Sequence, residues 1–116
     1  MLRVLALLLL ASLGDHAWAL DAEACQRIDD EGQKAAAFRP PLGGRVVALG
    51  RSGFFSAPDA GCPMKEFLVT GDTVVIYVPY KDWYQVSFVN RKTLVEVSGW
   101  MRADRIKVAG TMGLTN

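Results

Sequence analysis

Gly71-Asp72-Thr73-Val74-Val75-Ile76-Tyr77-Val78-Pro79, followed after Tyr80-Lys81 by Asp82-Trp83-Tyr84-Gln85-Val86-Ser87-Phe88-Val89, is the stretch from which the architecture follows. Gly71-Asp72 signals a turn, and Thr73 to Val78 is strongly β-branched, which favours a strand. Pro79 is expected to stop that strand, and Asp82 to make the next turn. Trp83 to Val89 then alternates, with Tyr84, Val86 and Phe88 on one face. Asn90-Arg91-Lys92 reads as a polar hairpin tip, and Leu94 to Met101 as the following strand.

Working outward, shorter strands are expected at Arg45 to Leu49, Glu66 to Val69 and Arg105 to Val108. Gly43-Gly44 reads as a turn and Gly50 to Gly61 as a loop carrying Phe54-Phe55. Short strands separated by turn signals indicate an all-β barrel or sandwich. About 60 residues are too few for a seven-stranded sandwich, so a small, partly open barrel fits better. Val74, Ile76, Val86, Val97 and Ile106 are its expected interior. Upstream, Asp21 to Phe38 holds one β-branched residue, Ile28. A short helix is expected from Ala22 to Glu31 with Asp21 as N-cap, since Gly32 weakens a longer one.

The first residues are of another kind. Arg3 is followed by the apolar run Val4 to Leu13 and then by Ala17-Trp18-Ala19. A basic start, an apolar core and an A-x-A site spell a secretory signal peptide over residues 1–19. Asp15 and His16 interrupt the run well short of the roughly 20 residues a membrane anchor needs. The expected address is therefore periplasmic or secreted, with no stable membrane insertion after cleavage. Cys25 and Cys62 are the only cysteines, and in an oxidising compartment such a pair reads as a disulfide. The chain-entropy treatment gives a loop of this length roughly 4 kcal/mol. The expected organisation is a signal peptide (1–19), an N-terminal segment with helix and Pro/Gly linker (20–43), a barrel (44–108) and a flexible tail (109–116).

The 116 residues are 51% hydrophobic and 22% charged, a globular composition. Thirteen basic against twelve acidic residues leave a net charge of +1, which argues against nucleic acid as a partner. His16 is the only histidine and lies in the signal. The mature chain then has no imidazole to serve as a base in Ser-His-Asp or Cys-His catalysis, or to hold zinc. The expectation is a non-enzyme with no cofactor and no metal.

The motifs Gly50-Arg51-Ser52-Gly53-Phe54-Phe55-Ser56-Ala57-Pro58, Gly71-Asp72-Thr73-Val74-Val75-Ile76, Asp82-Trp83-Tyr84-Gln85-Val86 and Gly99-Trp100-Met101 occur in an order that resembles the bacterial SH3-like (SH3b) family. Two departures are Asp82, where the family carries Gly, and Met101, where it carries Val. The resemblance covers residues 44–108. It implies an SH3-like barrel of five to six short strands; the N-terminal helix that the disulfide is expected to tie on lies in residues 20–43, outside the resemblance. It also implies a shallow aromatic groove for peptides, whose candidates here are Tyr80, Trp83, Trp100, Phe55 and Tyr77. Closing the barrel ends is the plainer role for Trp83 and Trp100. Lys81, Arg91 and Lys92 are a candidate basic recognition point, and Asp29-Asp30-Glu31 a candidate acidic patch; solvated surface is the plainer reading of both. The expected function is an exported binding module for a protein segment of the cell envelope. An inhibitor or immunity-type protein against a secreted toxin or hydrolase, and a peptidoglycan-peptide binder, are the alternatives.

Overall fold

Asp21 caps the first element: its Oδ1 accepts a hydrogen bond from the Ala24 amide at 2.8 Å, satisfying one of the free N–H groups that begin any helix. The helix α1 spans Ala22–Gln33 in this computed structural model, which describes residues 19–111. The signal peptide expected over 1–19 lies, apart from Ala19, outside the described residues. Gly32 does not shorten α1; it stays helical and buried. Its lack of a side chain is used for packing, as shown below.

Seven strands follow: β1 (Leu42–Val46), β2 (Ser52–Phe55), β3 (Pro63–Leu68), β4 (Thr73–Tyr80), β5 (Trp83–Val89), β6 (Glu96–Arg102) and β7 (Ile106–Thr111). All pairings are antiparallel, in one sheet of order β3-β2-β6-β5-β4-β1-β7. A short 3-10 turn, Ala103–Arg105, precedes β7. The sheet curls over a single core of Val46, Phe54, Leu68, Val74, Ile76, Val86, Met101 and Ile106. Every strand contributes to that core, including the two edge strands β3 and β7, so the structure is a partly open barrel. Each such side chain contributes about 1.5–3 kcal/mol when fully buried. Tyr84, Phe88 and Val97 pack against it, as the alternation requires. Arg105 clips the curl: its guanidinium donates to Ser52 Oγ and to the carbonyls of Leu49 and Arg51.

Five expectations are corrected. Gly43-Gly44 is no turn but the middle of β1, whose expected span at Arg45 to Leu49 moves back by three residues. A Cβ on Gly44 would lie 2.8 Å from both Ile106 Cγ2 and Ile76 Cδ1, so glycine lets β1 press onto the core between β4 and β7. Phe54-Phe55 belongs to β2 rather than to a loop, and Phe54 is a core residue. β4 runs through Pro79 to Tyr80. The β1 ladder on that side ends at Leu42↔Ile76, so the missing proline amide costs no sheet hydrogen bond there. Finally, β7 extends to Thr111, into the expected tail, because Leu42 and Gly43 supply partners for Thr111 and Gly110.

The disulfide Cys25–Cys62 is formed, with the Cα atoms 5.8 Å apart and a sequence separation of 37. It fastens α1 to the segment leading into β3. Among the described residues no helix is long and apolar enough to cross a membrane.

Candidate functional site

The barrel has an inner and an outer face, and strand alternation assigns residues to each. Tyr84, Val86 and Phe88 face inward on β5, so Trp83, Gln85, Ser87 and Val89 face outward. Met101 faces inward on β6, so Trp100 faces outward. The outward tryptophans are covered. Helix α1 lies over Trp100, and a second small core forms there from Val78, Trp83 and Trp100, with Ala35, Phe55 and Tyr80 packed against it. The Phe55 and Trp83 rings meet edge to face with centroids 4.9 Å apart, and Tyr80 and Trp100 at 6.3 Å. Such pairs contribute beyond their buried area, roughly 0.5–1.5 kcal/mol each.

Trp100 is the centre of this packing. Its Nε1–H donates to Asp29 Oδ1 at 2.8 Å, and the backbone of Gly32 rests on its six-membered ring. Only 1% of Trp100 and 7% of Trp83 reach solvent. Neither is therefore open to solvent. α1 fills the place a ligand would take on Trp100, whose one polar atom already has its partner. Phe55 and the Arg102 guanidinium, 5.0 Å from the ring centroid, cover Trp83. Phe55 is half-buried in the same cluster. Tyr80 keeps some exposure beneath the Lys81 ammonium, which sits 5.3 Å from its ring centroid. Together Tyr80 and Lys81 line a shallow groove with Ile28, Glu31 and Asp59. Tyr77 stands apart on the uncovered half of the outer face, its hydroxyl accepting from Ser87 Oγ at 3.3 Å.

The charged candidates are also redistributed. Lys81 lies in the β4–β5 turn, while Arg91 and Lys92 lie in the β5–β6 turn, at the other end of β5, so they form no common basic point. Asp29 is not merely solvated surface, since it holds Trp100. Asp30 accepts from Gln26, and Glu31 pairs with Lys34.

Two concave surfaces of the barrel itself are lined mainly by apolar groups. The first is a cleft of about 440 Å³ where the end of β3 crosses the β5–β6 hairpin, floored by Phe54, Leu68, Phe88 and Val97 and rimmed by Phe67 and Val95. That volume is in the range of small-ligand and side-chain pockets. Its rim is built to project. Asn90 Oδ1 accepts from the amides of Lys92 and Thr93, and Asn90 exchanges backbone hydrogen bonds with Leu94 and Val95. This holds Leu94 77% exposed and Val95 59% exposed. The second surface is a shallow trough of about 430 Å³ on the uncovered outer face, across β7, β1, β4 and β5, containing Gly43, Val75, Ser87, Ala109 and Arg91. Of the sequence candidates only Arg91 lines either surface, and neither surface as a whole was expected. The available signal was the alternation itself, which puts Phe88 and Val97 inward at the ends of their strands, where the barrel mouth leaves them partly uncovered. Among the described residues no group of three or more His, Cys, Asp or Glu side chains is placed to hold a metal ion.

Compared with known proteins, the chain matches no family model, no curated protein and no solved structure.

Proposed function

We propose that the protein is an exported, non-enzymatic binding module that recognises a protein segment in the cell envelope. One observation carries this reading: the apolar cleft at the barrel mouth, with exposed Val95 and Phe67 on its rim and exposed Leu94 next to Val95 in the chain. Contiguous exposed apolar residues around a concavity mark a surface that a partner covers. Cleft residues Phe54, Leu68, Phe88 and Val97 would receive an apolar side chain of the partner, and the ordered rim would lower the entropy lost on binding. The SH3-like resemblance supports a peptide-binding role, although the cleft lies away from the aromatic residues that the resemblance named. Export is supported by the A-x-A pattern at Ala17-Trp18-Ala19 and by the disulfide.

An inhibitor of a secreted toxin or hydrolase is the second reading. The projecting 90–95 turn favours it, because a rigid exposed Leu94 suits insertion into another protein's pocket.

The test is capture from an envelope fraction by the oxidised mature protein, with Val95→Asp and Phe67→Ser as paired baits and purified peptidoglycan alongside. A partner retained by the parent and lost at least tenfold by both variants, with melting temperatures unchanged, supports the module. Inhibition of a captured hydrolase or toxin would select the second reading. Equal capture by parent and variants, or retention on peptidoglycan alone, overturns the cleft as the recognition site.

A further inference from the structure

We infer that the open trough on the outer face is a docking surface for an acidic, extended segment of a partner protein, distinct from the cleft at the barrel mouth. The inference rests on the binding-module reading only in that a partner protein exists.

Register places the charges. Val46 and Ile106 pair and both point into the core, so the adjoining pair Arg45↔Lys107 points outward. Two cations therefore stand directly opposite each other on neighbouring strands, an arrangement that is unfavourable in an isolated sheet. Both are exposed, and Arg91 enters the trough from the β5–β6 turn. Among the described residues none of the three forms an ion pair; the pair recorded there is Lys34 with Glu31. Glu96, opposite Val89, is an acid on the same outer face, yet no ion pair relieves Arg45 and Lys107 among the described residues.

Beside this basic row runs a row of small groups. Gly43 pairs with Val75, Val75 with Ser87, and Ser87 with Ser98, all on the outer face. Gly110 continues the row opposite Gly43. Small side chains let another backbone approach closely, and Tyr77 walls the far side. Four strands at about 4.8 Å spacing span about 14 Å, the length of roughly four extended residues at about 3.3 Å each. A segment lying across the strands would set its carboxylates on Arg45, Lys107 and Arg91, and an apolar side chain against Val75 and Tyr77. Carboxylate–guanidinium hydrogen bonds are among the strong ones. Nucleic acid fits less well, because three cations in a chain of net charge +1 neutralise few phosphates.

The probe is a labelled, end-blocked hexapeptide of alternating Glu and Val, with its Lys–Val counterpart. Polyanionic heparin and phosphatidylglycerol vesicles serve as the other anionic sources. The Glu–Val peptide is expected to bind at least tenfold more tightly than Lys–Val, to weaken as salt rises, and to shift the amide resonances of Gly43, Ser87 and Ala109. Arg45→Glu with Lys107→Glu is expected to abolish this preference without lowering the melting temperature, since both positions are exposed. Val95→Asp should leave peptide binding intact, which separates failure of the trough from failure of the cleft. Equal affinity for the two peptides, shifts confined to Phe67 and Val95, or tighter binding of heparin or vesicles than of the peptide would each overturn the inference.

Discussion

Gly32→Ala tests how tightly α1 is seated. In an exposed helix interior the change would stabilise by about 1 kcal/mol, because alanine is the better helix former. Here the added Cβ would lie 2.8 Å from Trp100 Cζ2, 2.9 Å from Cη2 and 3.1 Å from Pro58 Cγ. Carbon atoms sit comfortably at about 3.5–4.0 Å, so the overlap is roughly 0.7 Å on the ring. Trp100 cannot swing aside, since it is fully enclosed and tied through Nε1 to Asp29. If α1 lifts instead, the Asp29 hydrogen bond stretches out of range, at a cost of about 1 kcal/mol. Overpacking of this kind costs about 1–3 kcal/mol. Set against the propensity gain, the expected net result is a loss of up to about 2 kcal/mol. For a domain of this size that is a fall in melting temperature of up to roughly 16 °C. The assay is thermal unfolding of the oxidised protein by circular dichroism. Arg27→Ala, on the exposed side of α1, is the control and should stay within about 0.5 kcal/mol of the parent. A rise in melting temperature for Gly32→Ala would refute the reasoning, because helix propensity would then outweigh a contact the helix does not make.

Three further outcomes are expected. Replacing Cys25 and Cys62 together by serine should cost about 4 kcal/mol, from the loop of 37 residues. α1 buries only Cys25 and Gly32, so it should detach first, seen as red-shifted tryptophan emission in advance of the loss of strand signal in urea. Asp29→Ala should destabilise by about 1–3 kcal/mol by leaving the buried indole N–H unpaired, while Asp29→Asn, which keeps an acceptor, should recover most of the loss in the same denaturation series. Gly44→Ala should lower the urea midpoint by the equivalent of about 1–3 kcal/mol, because its Cβ meets the core ends of Ile106 and Ile76, whereas Ala at exposed Gly50 meets no atom within 4 Å and pays only the strain of its positive φ.

The fold was legible wherever local chemistry and final structure agree. Asp21 is an N-cap in any context. The β-branched run from Thr73 and the alternation from Trp83 need only a hydrophobic face to become strands, and both did. The elements that escaped were those made by their neighbours. Gly43 and Gly44 have poor strand propensity, yet β1 exists because β4 and β7 flank it with ladders on both sides. Ser52 to Phe55 is strand because β3 and β6 offer partners. Pro79 is tolerated because β1 has already ended beside it.

The candidate site divides in the same way. Aromatic residues near turns announced a cluster, and Phe55, Tyr80, Trp83 and Trp100 do gather. Whether that cluster faces solvent depended on α1, and nothing local to Trp100 shows that Asp29, 71 positions earlier, will accept its proton-bearing nitrogen. The cleft and the trough were hidden because each joins residues from strands far apart in sequence. Side-chain type, turn signals and the two-residue period thus suffice for the β class, the helix and the cysteine pairing. Burial, register and the open surfaces required the curled sheet, because they are set by contacts between distant segments, and no local pattern encodes which distant segment arrives.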